Sequence, residues 1–278
     1  MMVLLSALLH PLRDISLKGV TNPAAAYLGV SLGWVVMAGC LTLLGGESLS
    51  LTHQAWQPAI ISGLALGCYY FGTLAAMRRG HLSIYYPIIR SSPLIVLVLN
   101  WFLFDQSYSA LAALGILVII ASGFLLQKPK GRLFDDFGAL GLALLAMVAS
   151  AVYTLADSVA MKHAEPNVFL FWVYLIVSAS LGIAWLLTKN PCPQPKRIVD
   201  GQRVWWRIAF ACVTSYASYY LILTAFQLRA DPAYVGAVRQ ASIPVSIVLA
   251  TFILREPRAL RRLWWAGLLA LGIAMLAI

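Results

Sequence analysis

The sequence predicts an all-α integral membrane protein of about ten transmembrane helices, arranged as two inverted five-helix repeats. Three observations predict it. Of 278 residues, 61% are apolar and only 11% are charged, where soluble domains carry about 25% charged residues. The apolar residues gather into runs near the roughly 20 residues that a helix needs to cross a bilayer. And the two halves of the chain echo each other in register.

The runs follow in order. The first covers Met1 to about Leu17, then Tyr27–Gly45, Pro58–Met77, Leu82–Phe104 and Ala110–Gln127. The second set is Phe137–Met161, Asn167–Thr188, Trp206–Leu228, Pro232–Leu254 and Leu263–Ile278. They are long and lack the alternation of a membrane barrel, so strands are excluded. The first span is the weakest. Only Met1–Leu9 is continuously apolar before His10, Pro11, Arg13 and Asp14. It is expected to be short or truncated, or to turn its polar part toward a cavity. The connectors 128–136 and 189–205 are the polar breaks. The first reads as the join between repeats, giving 1–127 and 137–278.

Composition also bounds function. Twenty Lys and Arg against ten Asp and Glu leave a net charge of +10. Most of the cations lie in short connectors, as topology signals and lipid-headgroup contacts, so no nucleic-acid partner is expected. Cys40, Cys68, Cys192 and Cys212 show no paired spacing, and the four His are scattered. No metal site, redox site or cofactor is expected. Gly29-Val-Ser31-Leu-Gly33 matches a hydrolase nucleophile motif, but it lies inside an apolar helix rather than on a strand-to-helix turn. The same spacing, repeated at Gly63 and Gly67, lets another helix approach closely.

Shifting the chain by 151 residues lays Tyr69 on Tyr220, Arg78 on Arg229, Pro93 on Pro244 and Asp105 on Glu256. Each Pro precedes its acid by twelve residues. Five spans per repeat is odd, so the second copy enters the membrane upside down. Arg90-Ser-Ser-Pro93, Asp105, Gly115 and Gly123 are answered by Gln240-Ala-Ser-Ile-Pro244, Glu256, Gly267 and Gly272. On these residues the chain resembles the drug/metabolite transporter superfamily, in its EamA-like ten-helix branch, over essentially its whole length. His10 and Lys18 keep the spacing of a His-Ala-x-Trp-Asn-x-x-x-Lys motif of some members, with Pro11, Arg13 and Asp14 replacing its Ala, Trp and Asn. The resemblance implies a transporter and not an enzyme. Spans 1–4 and 6–9 would surround a central pathway, with exchange or proton coupling as the energy source.

Fifteen cations fall in the connectors after spans 1, 3, 5, 7 and 9, against Lys162 and Arg229 on the opposite side. The positive-inside rule then puts both termini outside the cytoplasm, in what is expected to be a bacterial inner membrane.

The candidate site residues are polar groups at mid-depth. Arg90 and Arg239 lie inside apolar runs, where a guanidinium costs several kcal/mol unless paired or wet. They either hold a carboxylate or phosphate by forked hydrogen bonds or serve a structural partner. Pro93 and Pro244 free backbone carbonyls, for a ligand, for gating or for a packing kink alone. Ser91, Ser92 and Gln240 sit beside those kinks. Tyr69, Tyr70, Tyr216, Tyr219 and Tyr220 lie too deep for interfacial anchors, and line a pathway or fill a core. Ser150, Tyr153, Thr154 and Asp157 share one helix face. Asp157 and His10 are the candidates for proton coupling, although Asp157 can also pair with Lys162.

These readings give a secondary transporter of a small anionic or zwitterionic metabolite. It would work as a monomer or homodimer among membrane lipids. The alternatives are a flippase for a lipid-linked phosphorylated intermediate and efflux of amphiphilic compounds.

Overall fold

The structure is a computed structural model of the chain and describes residues 1–17, 20, 23–79, 82–127, 136–187, 201–245 and 259–276. The described residues are overwhelmingly helical and contain no strand. Helix is what a bilayer demands, since every backbone polar group then bonds within its own segment. The helices are α1 (Met2–Leu17), α2 (Pro23–Leu44), α3 (His53–Arg79), α4 (Leu82–Arg90), α5 (Ser92–Phe104) and α6 (Ala110–Gln127). They continue as α7 (Phe137–Ala160), α8 (Pro166–Leu187), α9 (Gly201–Gln227), α10 (Pro232–Val238) and α11 (Ala259–Met275). Among the described residues, six segments are long and apolar enough to cross a membrane. The protein is an integral, multi-pass membrane protein.

Local chemistry fixes the ends. Pro23, Pro166 and Pro232 open helices, where the missing N–H costs nothing. Asp136 caps α7 by accepting from the Ala139 N–H at 2.9 Å. Trp205, Trp206 and Trp264 are largely exposed at span ends, as interfacial anchors should be.

Two spans are not continuous. The fourth breaks at Ser91 into α4 and α5, with Pro93 in the first turn of α5. The ninth tightens after α10 into a 3-10 turn, Arg239–Ala241, before residues 242–245 resume as helix with Pro244 half-buried. α1 runs unbroken through Pro11, so the short apolar stretch at its start still belongs to a 16-residue helix.

The helices pack in exchanged pairs. α1 lies along α9 and α3 along α7, while α2 meets α8, α5 meets α10 and α6 meets α11. Exchanging the halves swaps the first two pairs and returns each of the last three to itself. Small residues permit the closeness. A Cβ on Gly63 would lie 2.8 Å from the Ile176 Cβ, and one on Gly33 would lie 2.8 Å from the Cys212 sulfur. The small-residue stripes of α2 and α3 are therefore seats for α9 and α8. Ser31, inside the discounted motif, shares a hydrogen bond with Ser178 at 2.7 Å.

Hydrogen bonds also sort the connectors by face. Thr52 donates to the His163 carbonyl, Gln227 to the Ala164 carbonyl, and Tyr108 to Asp231. This joins residues 45–52, 105–109, 161–165 and 228–231 on one face. At the other face, Arg207 donates to the Ser16 carbonyl and Tyr85 to the Asp136 carbonyl. Lys18, Glu256 and most of the cation-rich connectors lie outside the described residues.

Candidate functional site

A cavity of about 50 Å³ lies at mid-depth, where the two broken spans meet α1, α2, α3, α7, α8 and α9. That is room for roughly three or four waters. Four basic side chains line it: His10, Arg13, Arg90 and Arg239. No acid is among the described lining residues. Six aromatic rings complete the wall: Trp34, Tyr69, Tyr70, Tyr153, Tyr174 and Tyr219. Ser92, Ser150, Thr154, Ser215 and Gln240 supply the small polar groups.

Each guanidinium rests on a tyrosine face. Arg13 lies 5.7 Å from the Tyr27 ring centre, Arg90 5.2 Å from Tyr86 and Arg239 5.4 Å from Tyr219. Arg90 also donates from Nε to the Tyr86 hydroxyl at 3.1 Å, and Arg13 Nη2 lies 3.4 Å from His10 Nε2. A desolvated cation over a ring gains about 2 kcal/mol. The stacking holds the charges in place at the cavity wall.

The breaks in the fourth and ninth spans place these arginines. Ser91 donates to the Pro87 carbonyl at 2.9 Å, and Gln240 Nε2 donates to the Arg90 carbonyl at 2.9 Å. Two side chains thus satisfy backbone carbonyls freed at the kinks. The Gln240 Oε1 and the Arg239 Nε are both buried without a hydrogen-bond partner among the described residues. Leaving such atoms unpaired costs about 1–3 kcal/mol each, and both belong to residues that line the cavity.

Asp157 is 1% exposed and stands one layer behind the lining. Ser62 donates to its Oδ1 at 2.5 Å, and the Tyr219 hydroxyl donates to its Oδ2. Lys162, by contrast, is exposed in the turn after α7. The alternative pairing of Asp157 with Lys162 is thus corrected: the carboxylate points inward to α3 and α9. Tyr219 then bridges Asp157, through its hydroxyl, to Arg239, through its ring.

Of the residues singled out in the sequence, the cavity gathers Arg90, Arg239, Tyr69, Tyr70, Gln240, Ser92 and His10. Pro93 is buried at the kink beside Gly236. Two tyrosines lie elsewhere. The Tyr216 hydroxyl donates to Asn167 at 2.8 Å, and Tyr220 stacks on Tyr216 in the core between α2, α8 and α9. Their position on α9 turns them one face away from Tyr219. Sequence reasoning left Arg13, Trp34 and Tyr174 out of the site. Arg13 was readable, as a cation in an otherwise apolar helix. Trp34 and Tyr174 were not, because nothing distinguishes them from core aromatics until their rings are found 4.0 Å apart against the cavity.

A polar, cation-lined cavity at the middle of paired, broken membrane helices defines a class, the membrane transporters. The chain belongs to the EamA-like transporter family, whose sequence profile matches residues 137–278, just over half of its length. It is a transporter of the drug/metabolite type, and the family members are transporters rather than enzymes. Among solved structures 29 chains match. One, described only as "Crystal structure of protein", is similar with a TM-score of 0.82 at 17% identity, over 99% of this chain and 94% of its own. That likeness concerns the fold. No curated protein matches the sequence.

Proposed function

We propose that this protein is a secondary transporter of a small anionic or zwitterionic metabolite, working by alternating access between two five-helix repeats, 1–127 and 137–278. The observation that carries the reading is that the Arg239 Nε and the Gln240 Oε1, on consecutive cavity-lining residues, are both buried without a hydrogen-bond partner among the described residues. An anionic oxygen satisfies the first and an N–H or O–H donor the second. Arg90 and Arg13 add positive charge to the lining, and Tyr69, Tyr70 and Ser92 shape the wall. The substrate is admitted and released as the halves part on alternate faces.

Coupling falls to Asp157 or His10. Asp157 is the better placed, because Tyr219 links it directly to Arg239. The cation-rich face is assigned to the cytoplasm of a bacterial inner membrane, which leaves both termini outside.

The test is accumulation. Inverted membrane vesicles with and without the protein are given a mixture of carboxylates, amino acids and phosphate esters, and their contents are read by mass spectrometry. Protein-dependent enrichment of an anion or zwitterion, lost in Arg239→Ala, supports the reading. Enrichment confined to cations or neutral amphiphiles overturns it.

A further inference from the structure

Three polar side chains tie the broken spans together at the end away from Arg90 and Arg239. Asp231 caps α10 and accepts from the Ala233 and Tyr234 N–H groups at 2.8 and 3.2 Å. Its other oxygen accepts from Asn100 Nδ2, at 3.0 Å, and from the Tyr108 hydroxyl, at 3.0 Å. Asn100 also donates to Tyr108. Asn100 is 4% exposed near the end of α5, and Tyr108 lies in the connector after it. The Tyr108 ring packs 5.8 Å from that of Tyr234. Burial pushes the Tyr108 hydroxyl above its ordinary pKa, and the adjacent Asp231 charge adds to this, so it stays a donor.

Every bond from Asn100 and Tyr108 to Asp231 crosses between the halves. The segments it joins are the outer arms of the two broken spans. α5 hinges at Ser91, next to Arg90; α10 ends at the 3-10 turn that carries Arg239. Below the cluster, the arms touch where Pro93 meets Gly236; a Cβ there would lie 3.6 Å from the Pro93 ring. The cavity begins just beyond, at Gly236, Arg239 and Gln240.

We infer that the Asn100–Tyr108–Asp231 cluster is the gate that closes the substrate cavity from the face carrying residues 105–109 and 228–231. Opening requires α5 and α10 to part, and both hinges adjoin an arginine of the site. Gate and binding groups therefore move as one piece. A charge-assisted hydrogen-bond cluster suits this task, because it is strong when closed and each group is resolvated by water when open. The inference rests on the alternating-access reading, but its test needs no substrate.

A reporter, Ser150→Cys, is placed in the cavity after Cys40, Cys68, Cys192 and Cys212 are replaced. Vesicles of both orientations are treated with a membrane-impermeant maleimide, with Glu47→Cys marking the gate face. Tyr108→Phe removes one hydroxyl and keeps the helix cap; Asp231→Asn keeps an acceptor for it. Each is expected to raise labelling from the gate face about tenfold, the shift that losing one charge-assisted bond produces. Labelling from the other face stays level or falls. Unchanged labelling in both variants, or an equal rise from both faces, overturns the gate. If the gate responds while no transported compound is found, the gate stands and only the substrate reading fails.

Discussion

Gln240 donates through its side-chain amide to the backbone carbonyl of Arg90 at 2.9 Å. The bond joins the kink of one half to the 3-10 turn of the other, and it brings the two arginine-bearing segments to one cavity. Gln240→Leu leaves the Arg90 carbonyl unpaired while keeping volume. It should cost about 1–3 kcal/mol, seen as a melting temperature lower by several degrees in detergent. An unchanged melting curve would show that water replaces the amide.

Arg90→Ala and Arg239→Ala should each abolish transport while leaving expression intact. Arg239→Lys should rescue little, because a lysine lacks the fork and the flat stacking face on Tyr219. Uptake kinetics resolve the three variants. Unchanged kinetics in either alanine variant would remove that residue from the site.

Asp157→Asn keeps one acceptor oxygen, obliges the other of the Ser62 and Tyr219 hydroxyls to accept from the new amide, and cannot change charge. If Asp157 carries the coupling proton, uptake by this variant becomes independent of a pH gradient while exchange of substrate persists. A pH dependence like that of the parent would move the role to His10.

Gly63→Val places methyl groups where the Ile176 side chain already stands 2.8 Å from a Cβ position. Overpacking of this kind costs about 1–3 kcal/mol. The expected readout is a lower melting temperature and reduced yield, whereas Gly267→Ala, at an open position, should be neutral.

The fold was legible because a bilayer imposes a simple rule on sequence: long apolar runs between polar breaks. The α6 span, Ala110–Gln127, is recovered to the residue. α3 begins at His53 rather than Pro58; Pro58, in its second turn, removes one backbone hydrogen bond without ending the helix. The break at Ser91 was legible from Pro93. The site was half legible. A charge in an apolar run announces itself, as Arg90 and Arg239 did. An aromatic residue does not, so Tyr219 could not be separated from Tyr216 and Tyr220 by spacing alone. An Asp-Pro pair at a helix start is a local capping signal, but the partners of Asp231, Asn100 and Tyr108, lie 131 and 123 residues away. No local pattern encodes such a pairing.

Orientation has its own check. An alkaline phosphatase fusion after Ile278 should be active and a fluorescent-protein fusion dark. The reverse result would invert the assignment of faces.

The central claim is that the arginine-lined cavity holds an anionic group. The most direct measurement is a thermal-shift panel of anionic, zwitterionic and cationic metabolites on purified protein, wild type beside Arg239→Ala. A bound ligand stabilises the fold by mass action. Stabilisation by a carboxylate or phosphate compound, lost in the variant, is the predicted result. Stabilisation only by cations or neutral amphiphiles, undiminished in the variant, would contradict the claim and point to amphiphilic or lipid-like cargo.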